Sequence, residues 1–184
     1  MSDPSPWLVR WAHLIARGGR ILDLAAGSGR HTRWLASRGH SMTAVDRDAD
    51  AMSALSSMAE VIVADLEAGP WPLTGRRFDG VVVTNYLWRP LLPAVVAAVD
   101  AGGVLLYETF AAGNGTVGRP GNPDFLLAPG ELLTAAAGLR IVAYEDGFLA
   151  DPDRFVQRLA AVRELPSAVP PRHRLAPGSS MPGR

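Results

Sequence analysis

The feature that most constrains the fold is a short apolar run that ends in a glycine turn and continues into a helix-forming stretch. Residues 21–25 read Ile-Leu-Asp-Leu-Ala, a run too short for a helix and typical of a buried strand. A Gly-Ser-Gly turn follows at residues 27–29, and Trp34 and Leu35 then lie on the apolar side of a helical pattern. This order places backbone N–H groups and the positive end of a helix beside the end of the strand. We therefore predict a cofactor-binding turn.

The glycine spacing narrows the cofactor class without identifying it. Gly27 and Gly29 fit the first two positions of the dinucleotide pattern G-x-G-x-x-G, but Thr32 holds the third. A phosphate-binding P-loop needs a lysine, whereas all 18 basic residues of this chain are arginines. By itself the turn is compatible with a nucleotide-type ligand or with an ordinary strand–helix connection.

Two further strand-like runs each end in an acid. Residues 41–45 precede Asp46, about 20 residues beyond the glycine turn, and residues 60–64 precede Asp65. An acid at the tip of a second strand can accept hydrogen bonds from ribose hydroxyls, although Asp46 could also begin a helix. A short helix is expected over residues 48–58. Three strand–helix units in succession predict an α/β fold with a doubly wound parallel sheet, whose ligand lies at the carboxyl ends of the strands.

The second half of the chain adds a candidate substrate side. A fourth predicted strand, residues 80–84, stops at Asn85 and Tyr86, which could position a substrate or simply end the strand and pack in the core. After a fifth predicted strand, residues 104–108, the chain continues into a long Gly/Pro/Asn-rich segment without periodicity, residues 111–124. We expect this segment to act as a lid that carries Asn114 and Arg119 toward a small polar or anionic substrate.

The end of the folded domain reads as an antiparallel hairpin. Residues 139–146 and 154–163 are strand-like and are joined by a turn too short for a crossover helix. A parallel sheet closed by a reversed last strand follows from this. We predict one domain over residues 1–164 and a disordered Pro-rich tail over residues 165–184.

Composition excludes several functional classes. The formal net charge is zero, which offers no general grip on nucleic acid, and no apolar run approaches the length of a membrane span. The chain has no cysteine, and no His/Asp/Glu constellation suggests a metal site. We expect a cytoplasmic protein, monomeric or homodimeric, whose partner is a small molecule rather than a nucleic acid or a membrane.

The residues described so far resemble the class I S-adenosylmethionine-dependent methyltransferases. The resemblance covers about residues 5–163 and rests on the run Leu22-Asp-Leu-Ala-Ala-Gly-Ser-Gly-Arg-His31, on Asp46, on Asp65 and on the terminal hairpin. The Gly-Ser-Gly-Arg-His form is most similar to the small-molecule branch that includes tellurite-resistance and thiopurine-type enzymes. The resemblance implies a Rossmann-like, seven-stranded sheet of order 3-2-1-4-5-7-6 with strand seven reversed.

The resemblance also implies a set of cofactor contacts for S-adenosylmethionine. The loop would hold the methionine part, Asp23 would support the loop, Asp46 with Arg47 would bind the ribose, and Asp65 with Leu66 would bind the adenine. Asn85 and Tyr86 would lie near the sulfonium. The cofactor-binding residues implied are Asp23, Ala25, Gly27, Ser28, Gly29, Asp46, Arg47, Asp65, Leu66 and Asn85.

The reaction implied is in-line methyl transfer to a small molecule, in which positioning and water exclusion matter most. Candidate catalytic residues are Asn85, Tyr86, His31 and Arg119, with Tyr107 and Glu108 as further possible bases. The Asn/Asp-Pro-Pro-Tyr signature of amino-group methylation on adenine or glutamine is absent, since Asn85 is followed by Tyr-Leu-Trp. Two alternatives stay open: an NAD-dependent oxidoreductase, and a cofactor-binding module without catalysis.

Overall fold

In the computed structural model, which describes residues 2–176, a single seven-stranded sheet forms the centre of the molecule. The strands are β1 Arg20–Leu24, β2 Ser41–Asp46, β3 Ala59–Val63, β4 Phe78–Thr84, β5 Val99–Phe110, β6 Arg140–Leu149 and β7 Arg154–Val162. The helices are α1 Pro6–Trp11, α2 Arg30–Ala36, α3 Ala49–Ser53, α4 Leu92–Ala97 and α5 Glu131–Ala135. Short 3₁₀ turns follow α1 and precede α4.

The sheet has the predicted order β3-β2-β1-β4-β5-β7-β6. The first five strands pair in parallel, whereas β7 pairs antiparallel with both β5 and β6. The prediction of a doubly wound sheet with a reversed last strand is therefore confirmed. Because β1 to β5 are parallel, their carboxyl ends share one edge of the sheet, which we call the carboxyl edge.

Apolar side chains alternate between the two faces of the sheet, as the strand period requires. On one face, Val82 packs in a cluster with Trp7, Trp11 and Leu35 from α1 and α2. On the other face, the neighbours of Val82 along β4 pack in the main core with residues of α4 and α5. Helices on both faces bury the sheet, which explains the nearly continuous apolar composition of β4.

Two predicted boundaries were wrong. The third helix was expected to continue to Met58, but α3 ends at Ser53, because the backbone bonds that follow join residues three apart, as from the Leu55 N–H to the Met52 carbonyl, and form turns. The fifth strand was expected to begin at residue 104, whereas β5 begins at Val99 and pairs with Phe78 before a register shift. Both errors concern bounds and leave the topology unchanged.

The predicted lid is anchored to the sheet at both ends. Ala111 and Leu127 form a β-bridge, and the side chain of Gln157 on β7 contacts the Ala128 carbonyl at 2.6 Å. Arg89 holds two backbone carbonyls near the end of the segment, including that of Leu126 at 2.8 Å, while pairing with Glu131 at 2.7 Å. We call residues 111–128 the β5 loop; it is tied down at several points rather than hinged.

The start of the predicted tail has no regular structure. Residues 165–176 contain neither helix nor strand, yet the Arg174 carbonyl lies 3.0 Å from Nε2 of His13, and His173 lies 3.0 Å from Glu164. Residues 177–184, the rest of the predicted tail, lie outside the described residues, so the domain division stays a prediction. No helix within residues 2–176 has the length and apolar composition to cross a bilayer.

Candidate functional site

The glycine turn lies at the carboxyl edge, between the end of β1 and the start of α2. Gly27 and Gly29 both have positive φ values, of 54° and 75°. A Cβ at Gly27 would meet no atom within 4 Å, so this position faces open space, whereas a Cβ at Gly29 would lie 2.4 Å from Leu55. Gly27 therefore keeps the backbone accessible to a ligand, and Gly29 lets Leu55, in the turn after α3, pack against the glycine turn.

Asp23 holds the first turn of α2 in place. Its Oδ2 accepts hydrogen bonds from the backbone N–H of Thr32 at 3.0 Å and from the Thr32 hydroxyl at 2.6 Å. Thr32 occupies the position at which the dinucleotide pattern has its third glycine. Its hydroxyl gives the buried Asp23 carboxylate a hydrogen-bond partner that glycine would lack. Burial raises the pKa of Asp23 to about 6, and the bonds from Thr32 work against that rise. That Asp23 supports a cofactor-binding loop stays a prediction.

Two strand ends beside the turn carry strained backbone. Ala25, after β1, and Asn85, after β4, both have φ of 55°, a left-handed conformation that is uncommon for residues with side chains. β1 and β4 are neighbours in the sheet, so the two positions face each other across the carboxyl edge. Strain of this kind concentrates at functional sites.

Two cavities meet at Ala25. The first, which we call the turn pocket, has a volume of about 320 Å³ and is lined by Ser2, Ala25, Ala26, Gly27, Ser28, Arg30, His31, Thr84 and Asn85. The second, which we call the acid pocket, has a volume of about 130 Å³ and is lined by Ala25, Asp46, Arg47, Ala64, Asp65, Leu66, Glu67 and Tyr86. Together they follow the carboxyl edge from β4 to β3. The fold thus brings most of the predicted site residues together at the carboxyl edge.

Asp46 links the two pockets. Its Oδ2 accepts the backbone N–H of Gly27 at 2.8 Å, and its Oδ1 accepts the N–H of Asp48 at 3.0 Å. Each carboxylate oxygen can accept a second hydrogen bond, so Asp46 can serve a ligand while it fixes the glycine turn. Asp65 is arranged similarly, since its Oδ1 accepts the N–H groups of Glu67 and Ala68, and these bonds lower its pKa.

Asn85 and Tyr86 separate into different pockets. Asn85 lines the turn pocket, whereas the side chain of Tyr86 turns into the acid pocket. The left-handed backbone at Asn85 redirects the chain after β4, so these consecutive residues line adjoining pockets, and their place near the sulfonium stays a prediction. The sequence predicted either a substrate contact or core packing for Tyr86. Its position beside Asp46 and Asp65 was not predicted.

His31 does not have a free acceptor nitrogen. The ring is buried, and its Nε2 accepts the backbone N–H of Ser5 at 3.2 Å. Its Nδ1 therefore carries the proton and lies 4.0 Å from Oδ1 of Asp23. Burial lowers the pKa of His31 to about 4, with a further contribution from Arg30. The suggested base role is corrected: in this arrangement His31 fastens the N-terminal segment beside the glycine turn.

The other candidate bases are engaged as well. Glu108 is buried, accepts the Ser5 hydroxyl at 3.1 Å and lies 3.5 Å from Arg158. Tyr107 donates its phenol to the Tyr86 carbonyl at 2.9 Å, and burial raises its pKa. Neither group points to the pockets as a free proton acceptor. Sequence reasoning did not find Ser5 and Arg158 as partners, because the contacts join positions 26 to 103 residues apart.

The β5 loop does not present Asn114 to a substrate. Asn114 is buried, its Oδ1 accepts the Phe155 N–H at 3.1 Å, and its Nδ2 donates to the Pro120 carbonyl at 3.0 Å. The expectation for Asn114 was therefore wrong, since both ends of its amide hold the backbone. Arg119 is exposed on the same loop and lines neither pocket.

A groove of about 690 Å³ adjoins the turn pocket, with which it shares Ser2, Ser28 and Arg30. A larger groove, of about 870 Å³, lies away from this edge at the amino ends of the strands, where Arg76 pairs with Glu60 and Arg20 with Asp100. We consider the carboxyl edge the functional one, because ligands of parallel sheets bind there and because the strained residues lie there. Within residues 2–176, no three His, Asp or Glu side chains are grouped as metal ligands would be.

Comparison with known proteins gives a family match and several structural likenesses. Residues 21–101 match the family model described as a methyltransferase domain. A search of curated proteins gives no match. TehB from Haemophilus influenzae is 20% identical with a TM-score of 0.66, and the match covers 83% of this chain but only 60% of TehB.

Two further structures extend the likeness. A SAM-dependent methyltransferase from Methanosarcina mazei is 16% identical with a TM-score of 0.67, over 90% of this chain and 100% of that one. Coclaurine N-methyltransferase, bound to N-methylheliamine and SAH, is 16% identical with a TM-score of 0.58, over 74% of this chain and 48% of that one. At sequence identities this low, the structural likeness establishes the fold alone.

Proposed function

We propose that this chain, whose fold is that of the class I methyltransferases and whose residues 21–101 match a methyltransferase-domain model, binds S-adenosylmethionine and transfers its methyl group to a small-molecule acceptor. The observation that carries the proposal is the pair of pockets that meet at Ala25, with Asp46 and Asp65 at the ends of β2 and β3. The bound SAH named for coclaurine N-methyltransferase supports the choice of cofactor.

The residues present fit such a cofactor. The backbone at Gly27 is open to approach, and the turn pocket offers Asn85 and the cation of Arg30 to the amino-acid end. In the acid pocket, Asp46 and Asp65 each retain acceptor capacity for ribose hydroxyls and the adenine amino group. Leu66, which is buried beside them, supplies an apolar surface for the ring.

The chain contributes mainly position and shelter to the reaction. A methyl group on a sulfonium is already activated for displacement, so the protein must align it with the acceptor and exclude water. His31, Tyr107 and Glu108 are all engaged in internal contacts, so no general base is assigned among them. We infer that Asn85 lies nearest the reacting centre, because it follows β4 in the turn pocket and has a strained, left-handed backbone.

The first test is calorimetric titration of the protein with S-adenosylmethionine, S-adenosylhomocysteine and NAD. We expect both sulfur compounds to bind and Asp46→Ala to weaken their binding at least tenfold, because a charge-assisted acceptor and the support of Gly27 are both lost. Asp50→Ala is the matched control, since Asp50 is an exposed acid of α3 outside both pockets.

Binding of NAD alone would overturn the methyltransferase proposal in favour of hydride transfer. Binding of the sulfur compounds without turnover of any small acceptor in a methyl-transfer screen would favour the non-catalytic module. Retained affinity in Asp46→Ala would refute the assignment of the ribose site.

A further inference from the structure

The Tyr86 hydroxyl is a buried donor with no hydrogen-bond partner among the described residues. The backbone of the same residue is well held, because its carbonyl accepts the Tyr107 phenol at 2.9 Å. Buried polar groups are normally paired, and an unpaired one in a native structure calls for an explanation. The location of this hydroxyl, in the wall of the acid pocket, provides one.

The groups around the Tyr86 hydroxyl explain why it stays a donor. Burial raises its pKa to about 12, and the carboxylates of Glu67, Asp65 and Asp46 add to the rise while Arg47 opposes it. The phenol is therefore protonated at neutral pH. The carboxylates have backbone partners instead: Asp46 is bonded to Gly27 and Asp48, and Asp65 to the start of the following turn.

The side chains that line the acid pocket are thus mainly acceptors, with Tyr86 and Arg47 as the donors. Carboxylates can receive the hydroxyl and amino groups of an adenosine, but they cannot satisfy its ring nitrogens or its ether oxygen, which only accept. Apart from Arg47 and backbone N–H groups, Tyr86 is the side chain of this pocket that can donate.

We propose that the Tyr86 hydroxyl donates a hydrogen bond to an acceptor atom of the adenosine moiety bound in the acid pocket, and so contributes to recognition of the cofactor rather than to methyl transfer. The inference rests on the proposed function. It moves Tyr86 from the group of candidate catalytic residues to the binding site. It also gives the unpaired hydroxyl of the free protein a partner in the complex.

The central test is Tyr86→Phe, which keeps the ring and removes only the hydroxyl. We expect the affinity for S-adenosylhomocysteine to fall about 3- to 10-fold, the range for one net hydrogen bond. Methylthioadenosine, which lacks the amino-acid end, should lose affinity by the same factor because it retains the adenosine. Tyr144→Phe is the matched control, since Tyr144 lies on β6 and its phenol bonds to Asp146, away from the pocket.

Thermal unfolding of the free variant separates recognition from a structural role. Because the hydroxyl is unpaired in the free protein, Tyr86→Phe should unfold at the same temperature as the wild type or higher. Tyr107→Phe should unfold at a lower temperature, since it removes a buried bond to the Tyr86 carbonyl. A lowered unfolding temperature for Tyr86→Phe would overturn the proposal, because the hydroxyl would then have a partner within the protein.

Nuclear magnetic resonance provides a readout independent of affinity. The chain has three tyrosines, so ¹³C labelling at the phenol carbon gives three signals that single Phe variants assign. The Tyr86 signal should shift when S-adenosylhomocysteine or methylthioadenosine binds, while that of Tyr144 stays fixed. If Tyr86→Phe binds S-adenosylhomocysteine as tightly as the wild type, or if the Tyr86 signal does not move, the role proposed for Tyr86 is refuted and the proposed function is not. Failure of the wild type to bind either compound would refute the proposed function itself.

Discussion

Removing either member of the buried Asp23–His31 pair should give the stability of the protein opposite dependences on pH. Both side chains are almost fully buried, and burial favours the neutral form of each. The pKa of Asp23 rises from 3.8 to about 6, and that of His31 falls from 6.5 to about 4. Neither shift has the partner's charge among its causes, so each should persist when the partner is replaced.

The two contributions have opposite signs. The pKa of Asp23 is raised in the folded state, so its contribution is fully present below about pH 4 and is lost as the pH rises through about 6. The pKa of His31 is lowered, so its contribution is present above 6.5 and is lost as the pH falls through about 4. Shifts of this size correspond to about 3 kcal/mol each. In the wild type they nearly cancel.

His31→Gln leaves only the Asp23 contribution, and glutamine can still accept the Ser5 N–H. Its free energy of unfolding, relative to the wild type, should fall by about 3 kcal/mol between about pH 4 and pH 6.5. Asp23→Asn leaves only the His31 contribution, so its relative stability should rise by a similar amount over the same interval. Comparison with the wild type at each pH removes the effect of every other titrating group.

Urea unfolding curves for the three proteins at a series of pH values measure these differences. Slopes of opposite sign for the two variants would support the argument. If the difference in free energy of unfolding between each variant and the wild type does not change with pH, the argument is refuted, because Asp23 and His31 would then be solvated or ionised together as a pair.

Three further outcomes follow from the packing. Gly29→Ala should lower the free energy of unfolding, measured in urea, by at least 2 kcal/mol, because its Cβ would overlap Leu55 and its φ is 75°. Gly27→Ala should lower it by about 1 kcal/mol, because the position faces open space and only its positive φ is unfavourable. Equal costs would contradict the reading of the turn. Arg89→Ala should speed hydrogen exchange in the β5 loop, since Arg89 holds two of its carbonyls; unchanged exchange would show that the other anchors suffice. Ser5→Pro should weaken binding of S-adenosylhomocysteine more than Ser5→Ala, because only proline removes the N–H that His31 accepts; equal affinities would separate the N-terminal segment from the site.

Local sequence rules predicted the parts of the site that depend on strand ends. The apolar runs before Asp23, Asp46 and Asp65 and the glycine turn were enough to place these groups at the carboxyl edge, because parallel strands share that edge. They were not enough for Asn114 and His31. The partners of those two side chains, Phe155 and Ser5, come from distant parts of the chain, and no local pattern encodes a contact across 26 or 41 residues.

The sequence by itself determined the order of strands and helices, the reversed last strand and the carboxyl edge at which a ligand can bind, since periodicity, turn length and glycine spacing act over short distances. Only the tertiary structure decided which polar groups remain free. It pairs His31, Glu108 and Asn114 internally, turns Asn85 and Tyr86 into separate pockets, and leaves the Tyr86 hydroxyl with no hydrogen-bond partner within residues 2–176. The physical reason is that a hydrogen bond depends on the position of both partners, and the partners meet only when the whole sheet has formed.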